Sequence, residues 1–180
     1  MRAFPLRRLG LSAVLAAALL PGVLVVSELP AAAQPWSNPF EFGGHGGNDF
    51  TDAPVARDGN YVSNVTIRTG DRVDQVGLRF RNGTQVTHGG NGGTLHTLNL
   101  YNRERVISVE MCASGGDGRR LTYIRFTTDR GRTLSGGRRT GDCVTVGLPR
   151  DADHTMIGGF HGAAGANVDR LGFIYTGPRS

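Results

Sequence analysis

Two aspartates, Asp74 and Asp169, occur in the same eight-residue pattern. Residues 70–77 read G-D-R-V-D-Q-V-G and residues 165–172 read G-A-N-V-D-R-L-G. A pair of carboxylates can hydrolyse glycosidic bonds when the two groups lie roughly 5–10 Å apart. The repetition instead assigns each carboxylate to its own repeat unit and its own sheet. We therefore reject this pairing, and no other constellation of a nucleophile and a base points to an enzyme.

A third, degenerate copy of the pattern lies between these two. It covers residues 118–124, and Thr122 stands there where the other copies carry aspartate. Its first glycine lies 48 residues after Gly70 and 47 residues before Gly165. A regular spacing of this size indicates three structural repeats within one chain.

A glycine-rich motif keeps nearly the same period. Residues 43–47 read G-G-H-G-G, residues 89–93 read G-G-N-G-G, and Gly136-Gly137 is a fainter copy. The stretch from Gly43 to Ser180 therefore has room for three units of about 46 residues each.

Short runs that alternate apolar and polar residues fill each unit. They cover residues 62–68, 73–81, 95–100, 106–111, 121–127, 143–148 and 171–175. Such alternation, punctuated by glycine, predicts antiparallel strands and hairpins, and 28 glycines argue against a helical bundle. Three units of about four strands predict an all-β fold of three four-stranded antiparallel sheets with pseudo-threefold symmetry, a β-prism. A sandwich fits the strands alone but not the threefold period.

Residues 1–33 have the composition of a secretory signal peptide. Three arginines precede an apolar stretch over residues 9–26, and Ala31-Ala32-Ala33 supplies small residues for cleavage. An uncleaved membrane anchor is the alternative, but the stretch barely reaches spanning length and is broken at Pro21-Gly22. We predict an exported chain with a signal peptide over 1–33, a short disordered lead over 34–39, one domain over 40–177 and no integral membrane segment after cleavage.

The residues that bind metals do not cluster in the sequence. Cys112 and Cys143 have no partners at ligand spacing, and in an oxidising compartment they predict one disulfide. The five histidines do not pair at the spacings of a metal site on one element. The chain has no lysine, which excludes a Schiff-base or P-loop lysine. We predict no metal, no cofactor and no catalytic residues; a catalytic thiol would need a neighbouring histidine.

The basic charge is modest in the predicted mature chain. Removing residues 1–33 leaves 17 arginines against 14 acidic residues, so the net charge falls from +5 to +3. Three arginine clusters could still hold an acidic polysaccharide: Arg119-Arg120, Arg130 with Arg132, and Arg138-Arg139. Interleaved aspartates favour a mixed, solvated surface, and no aromatic–basic stripe supports nucleic-acid binding. The arginine-only, alanine-rich composition indicates a GC-rich bacterium.

Taken in order, these motifs resemble the jacalin-related lectins. The resemblance rests on residues 43–50, 88–93, 126–132, 159–162 and 165–172, and it covers roughly residues 40–175. It implies the β-prism that the period predicts independently, and it makes residues 40–177 a jacalin-type lectin domain. It also implies a monosaccharide site without metal, built mainly from backbone groups.

The resemblance places the sugar site between a glycine loop and a G-x-x-x-D loop. Asp169 would accept hydrogen bonds from two adjacent hydroxyls of a mannose- or glucose-type sugar. The backbone N–H groups of Ala166 and Asn167, in the loop that begins at Gly165, would bind the ring and exocyclic oxygens. The N–H of Gly47 would bind a further hydroxyl. A carboxylate suits this role because it accepts several charge-assisted hydrogen bonds.

The internal repeat predicts a second candidate site. Asp74 and the N–H groups of Asp71 and Arg72 would face Gly93, whereas the third copy carries Thr122 and is expected not to bind. The alternative is that the second copy is only a well-formed turn.

Neither loop pair contains an aromatic residue, so we expect weak binding of one sugar, with a Kd of about 1 mM. Useful binding would then require two sites or a homo-oligomer. Galactose-binding members are cut to expose a glycine amino group, and no processing site is evident before Gly43. Mannose- or glucose-type glycans are therefore the expected partners. The alternatives are an acidic-polysaccharide binder that uses the arginine clusters, and an adhesion or structural prism that binds no sugar.

Overall fold

The structure is a computed structural model that describes residues 36–37, 40–116, 119–148 and 154–178. The predicted signal peptide lies outside these residues, as does the predicted lead apart from Trp36 and Ser37. The described strands are Trp36–Ser37 (β1), Phe42–Gly43 (β2), Asn48–Thr51 (β3), Val62–Thr69 (β4), Val73–Phe80 (β5), Gln85–Gly89 (β6), Thr94–Asn99 (β7), Val106–Ala113 (β8), Leu121–Thr128 (β9), Thr133–Gly137 (β10), Asp142–Gly147 (β11), Met156–Ala164 (β12) and Val168–Thr176 (β13).

The strands form three antiparallel sheets, which confirms the predicted all-β prism. Two sheets have four strands, in the orders β6-β5-β4-β7 and β10-β9-β8-β11. The third has the order β1-β13-β12-β3, and β2 also pairs with β13. The short strands β1 and β2 pair with opposite ends of β13, at Tyr175 and Leu171 respectively. This sheet therefore has five strands but is only four strands wide, because β1 and β2 both lie along the same edge of β13.

The third sheet joins the two ends of the domain. Strands β12 and β13 come from its C-terminal part, whereas β1, β2 and β3 come from its N-terminal part. Pairing runs from Ala164 opposite Asn48 to His161 opposite Thr51. The repeat units in the sequence therefore do not coincide with the sheets, because one sheet is completed across about 120 residues of chain.

Apolar side chains from all three sheets fill one core. Four phenylalanines, Phe80, Phe126, Phe160 and Phe173, are fully buried there. The Phe160 ring lies 5.9 Å from that of Phe126, in another sheet, and 6.1 Å from that of Phe173. Tilted and edge-on ring pairs at these distances are favourable. Buried apolar side chains of the three sheets thus pack together in one central cluster.

The Cys112–Cys143 disulfide is present and confirms the predicted pairing. It joins β8 to β11, in which the two cysteines are direct register partners. The bond closes a loop of sequence separation 31. Loop-closure entropy at this length is worth about 3–4 kcal/mol of stability.

Two leucines on one sheet test the location of the core. Leu78 on β5 is 1% exposed, whereas Leu95 on β7 is 52% exposed. We expect Leu78→Ala to lower the free energy of unfolding by about 2–5 kcal/mol, because it leaves a cavity. Leu95→Ala should change it by no more than about 0.5 kcal/mol. Urea unfolding of both variants measures the difference, and equal losses would contradict this core.

Glu104 makes the fold sensitive to acid. Its buried carboxylate accepts hydrogen bonds from the Tyr101 N–H (2.8 Å), the Thr128 hydroxyl (2.7 Å) and the Arg132 guanidinium (2.8 Å). Burial raises the pKa of Glu104, but these bonds outweigh it and hold the pKa below the usual 4.5.

A carboxylate with a lowered folded-state pKa stabilises the fold above its unfolded pKa, and the stabilisation is lost as the pH falls through the folded value. We expect the wild-type free energy of unfolding to fall as the pH drops below about 4.5, and Glu104→Gln to be less stable at pH 7 with a shallower acid dependence. Urea unfolding at several pH values measures both, and parallel curves for the two proteins would contradict the assignment.

Candidate functional site

The first candidate site lies where β12 turns into β13. The turn is tight: the N–H of Gly165 donates to the carbonyl of Asn167 (2.9 Å), and Ala164 pairs with Val168 across it. Asp169 follows as the second residue of β13 and is 8% exposed. The turn glycine and the strand together fix where this carboxylate lies.

The glycine loop between β2 and β3 lies directly against Asp169. The N–H of Gly44 donates to the backbone carbonyl of Asp169 (2.8 Å). A Cβ atom on Gly46 would lie 2.6 Å from Asp169 Oδ1, and one on Gly47 would lie 2.7 Å from Oδ2. Gly47 also has φ +74°, in the left-handed region that favours glycine. The structure therefore brings together the two loops that the sequence pointed to.

Hydrogen-bonding groups converge at this site without partners in the described residues. The backbone N–H groups of Gly47, Ala166 and Asn167 donate no hydrogen bond there, and the Asp169 carboxylate accepts none. Ala166 is exposed and Asn167 partly so. The site thus offers one anionic acceptor beside several neutral donors, an arrangement suited to a ligand with many hydroxyl groups.

The second candidate site repeats this geometry around Asp74. The N–H of Gly90 donates to the backbone carbonyl of Asp74 (2.9 Å). Cβ atoms on Gly92 and Gly93 would lie 2.8 and 2.6 Å from the two carboxylate oxygens, and Gly93 has φ +59°. An open pocket of about 320 Å³ lies here. Its lining residues are Gly70, Asp71, Arg72, Asp74, Gly93 and Asn167.

The third copy keeps the backbone arrangement but loses the site. Thr122 takes the place of the carboxylate, and Arg138 donates its N–H to the Thr122 carbonyl (2.7 Å) as Gly44 and Gly90 do in the other copies. Ala113 pairs with Leu121 across a turn four residues longer than the other two. The third loop pair therefore presents neither the acceptor nor the short turn.

The structure defines how the third glycine motif aligns with the other two. Gly43, Gly89 and Gly137 are the equivalent residues, since a Cβ on each would collide with the carbonyl of Asp169, Asp74 and Thr122, respectively. Gly137 therefore begins the third motif, and Gly136 precedes it.

The sequence matches the family model of the Jacalin-like lectin domain over residues 40–174. The chain belongs to the jacalin-like lectin family. Horcolin from Hordeum vulgare subsp. vulgare is 29% identical over 147 residues, which cover 78% of this chain and 99% of horcolin.

Solved structures agree with this jacalin-like fold. Wild-type Malaysian banana lectin superposes with a TM-score of 0.63 at 25% identity, covering 77% of this chain and 96% of that one. A mannose-specific jacalin-related lectin from Morus nigra, solved in complex with mannose, gives 0.64 at 20% identity, with 83% and 99% covered.

An ion-pair network in this jacalin-like domain holds the glycine loop in place. Glu41, before β2, pairs with His161 (2.8 Å) on β12 and with Arg170 (2.6 Å) on β13. Arg170 also pairs with Asp49 on β3. Burial raises the pKa of Glu41, but the bonds from His161 and Arg170 outweigh it and lower the pKa overall. Sequence reasoning missed this network, since no local pattern marks contacts between residues about 120 positions apart.

One arginine of each cluster is paired with an acidic neighbour. Arg119 pairs with Asp142 (2.7 Å), Arg132 with Glu104 (2.8 Å), and Arg139 with Glu110. The guanidinium of Arg130 instead lies 5.5 Å from the Tyr101 ring centroid. These contacts favour the mixed surface that the interleaved charges predicted.

The described residues offer neither a metal-binding cluster nor a helix that could span a membrane. No group of three or more His, Cys, Asp or Glu side chains in that part of the chain is arranged to hold a metal ion. In the same residues we find no helix with the length and hydropathy of a membrane span.

Two glycines with nearly the same backbone test the close approach at the first site. Gly47 has φ +74° and Gly131 has φ +73°, but a Cβ on Gly131 would meet no atom within 4 Å. Alanine at either position carries a left-handed strain of about 1–2 kcal/mol. Gly47→Ala should lose about 1–3 kcal/mol more, because its methyl group collides with Asp169 and Ala164. Urea unfolding compares the variants, and equal losses would contradict this geometry.

Proposed function

We propose that this protein is an exported lectin that binds mannose- or glucose-type glycans at the Asp169 site and at the Asp74 site. One observation carries the proposal. At both sites a carboxylate faces a pair of glycines so closely that a side chain there would collide with it. The Asp169 carboxylate accepts no hydrogen bond in the described residues and Asp74 accepts one, from Asn167, so both keep acceptor positions for a ligand.

The chemistry of the first site fits a hexopyranose. Two adjacent sugar hydroxyls donate to the two oxygens of Asp169, and charge-assisted bonds of this kind are about twice as strong as neutral ones. The N–H groups of Ala166 and Asn167 donate to the ring and exocyclic oxygens, and the N–H of Gly47 donates to a further hydroxyl. Backbone donors and one carboxylate supply every contact, so the proposed binding requires no metal.

The relatives support sugar binding of this kind. The lectin from Morus nigra is described as mannose-specific and was solved with mannose bound, and a jacalin-related lectin from Ananas comosus is described as mannose binding. The short G-x-x-x-D turns of this chain fall in the same domain fold. We extend mannose binding to this chain on that basis together with its own loop geometry.

Export and weak, multivalent binding complete the proposal. The signal-peptide pattern over residues 1–33 and the Cys112–Cys143 disulfide support an oxidising compartment outside the cytoplasm. Without an aromatic platform in the loops, a single sugar should bind with a Kd of about 1 mM. Two sites in one chain, or a homo-oligomer, then raise the apparent affinity for a branched glycan.

The other functions considered have less support. An acidic polysaccharide would need free guanidinium groups, but Arg119, Arg132 and Arg139 are each paired with a carboxylate. An adhesion module without sugar binding leaves the close fit of glycines and carboxylates at two separate sites unexplained. No catalytic role is proposed, because each carboxylate serves its own loop pair.

Site-resolved titration tests the proposal. Backbone amide NMR with methyl α-mannopyranoside should shift the resonances of Gly47 and Ala166 for the first site, and those of Asp71 and Gly93 for the second. Asp169→Asn should weaken the first site at least about tenfold, because a hydrogen bond to a charged group is worth about 1.5–3 kcal/mol. Asp142→Asn, an exposed change in the third unit, is the matched control and should alter neither site.

Salt separates this proposal from binding by arginine clusters. The affinity for the mannoside should change little between low and moderate salt, whereas arginine-mediated binding is screened. A wild-type protein that shows no shifts at either site, or an Asp169→Asn variant that binds as well as wild type at the first site, would overturn the proposal.

A further inference from the structure

Asn167 links the two candidate sites through its side chain. Its Nδ2 donates to Asp74 Oδ1 (2.7 Å), although Asp74 lies 93 residues away in the second site. Its Oδ1 accepts a hydrogen bond from Arg120 Nη1 (3.1 Å). The amide is therefore held at both ends, by one residue from each of the other two repeat units.

The same residue forms part of the second pocket. Asn167 is the one contribution of the C-terminal loop to the lining of the pocket around Asp74. The backbone supports this placement, since a Cβ on Gly90 would lie 2.6 Å from the carbonyl oxygen of Ala166. The second glycine loop thus packs against the turn that carries Asn167.

We propose that Asn167 is a specificity-determining residue of the second sugar site. That site is then composite, because loops from two repeat units form it. This inference rests on the proposed function. The backbone N–H of Asn167 serves the first site, while its side chain forms a wall of the second and positions the Asp74 carboxylate. The second site depends on the C-terminal loop in this way, and the first site does not depend on the side chain of Asn167.

The hydrogen-bonding capacity of the groups allows this arrangement. A carboxylate oxygen has two acceptor positions, so the bond from Asn167 leaves Asp74 free to accept sugar hydroxyls at both oxygens. The amide keeps one further N–H and one further acceptor position for the ligand. The Asp169 carboxylate accepts no such amide in the described residues. The two sites therefore present different polar walls, and the second should prefer a ligand with one more hydroxyl within reach of the amide.

The hydrogen bond from Asn167 Nδ2 to Asp74 Oδ1, here called the bridge, can be tested by replacing one atom. In Asn167→Asp a carboxylate oxygen replaces the Nδ2 donor and faces Asp74 Oδ1, so the two like charges repel. In the full mature chain, titrated with methyl α-mannopyranoside, we expect the second-site Kd read from Asp71 and Gly93 to rise at least about tenfold. The first-site Kd read from Gly47 should stay within about twofold.

Three further variants keep the result interpretable. Asn167→Ala removes the bridge without adding charge and should weaken only the second site, which covers the case in which the aspartate variant does not fold. Gln85→Ala, an exposed change on β6 at the end of the strand away from Gly89, is the control and should leave both sites as in wild type. Without any sugar, Asp74→Asn should shift the side-chain amide resonances of Asn167.

Each outcome is decisive. Unchanged second-site affinity in both Asn167 variants, or an Asn167 amide that does not respond to Asp74→Asn, overturns the composite site. A wild-type protein that binds mannoside at the first site alone also overturns it, and it leaves the proposed lectin function standing for the Asp169 site only. A wild-type protein that binds at neither site overturns the proposed function and this inference together.

Discussion

The contact on which the rest depends is the approach of a glycine loop to a carboxylate. Gly46 and Gly47 leave no space for a Cβ between their backbone and Asp169. That approach exists because β2 pairs with β13 and β3 pairs with β12, so that the N-terminal and C-terminal parts of the domain share one sheet. The pairs that Glu41 and Asp49 form with Arg170 then fasten both ends of the loop. The strand pairs that close the prism are thus the same pairs that bring the glycine loop to Asp169.

A comparison of the three copies distinguishes the glycine that all copies share from the glycines that occur only at the two candidate sites. Gly43, Gly89 and Gly137 meet the same carbonyl in all three copies, including the copy that has no carboxylate. The later glycines of the motif contact carboxylate oxygens, and they do so only at the first and second sites. A longer turn, Thr122 and Arg138 accompany the loss of the third site. The first glycine of the motif therefore keeps its packing in the copy that has no carboxylate.

Much of this could be predicted from the sequence. The period and the alternating strands predicted the prism, because both features are local and repeat. The pairing of the glycine loops with the Asp169 and Asp74 loops was implied by the resemblance to the jacalin-related lectins. What could not be predicted depends on contacts between distant residues: the completion of one sheet from both ends of the domain, the Glu41 network, the pairing at Trp36, and the bridge from Asn167 to Asp74.

The central claim is that these glycine–carboxylate pairs are sugar sites. A crystal structure of the protein soaked in methyl α-mannopyranoside at saturating concentration tests it most directly. We predict a sugar beside Asp169 with two adjacent hydroxyls on its carboxylate and with the N–H groups of Gly47, Ala166 and Asn167 donating to its oxygens. A structure with both loop pairs empty under these conditions, or with the sugar bound elsewhere, would contradict the account.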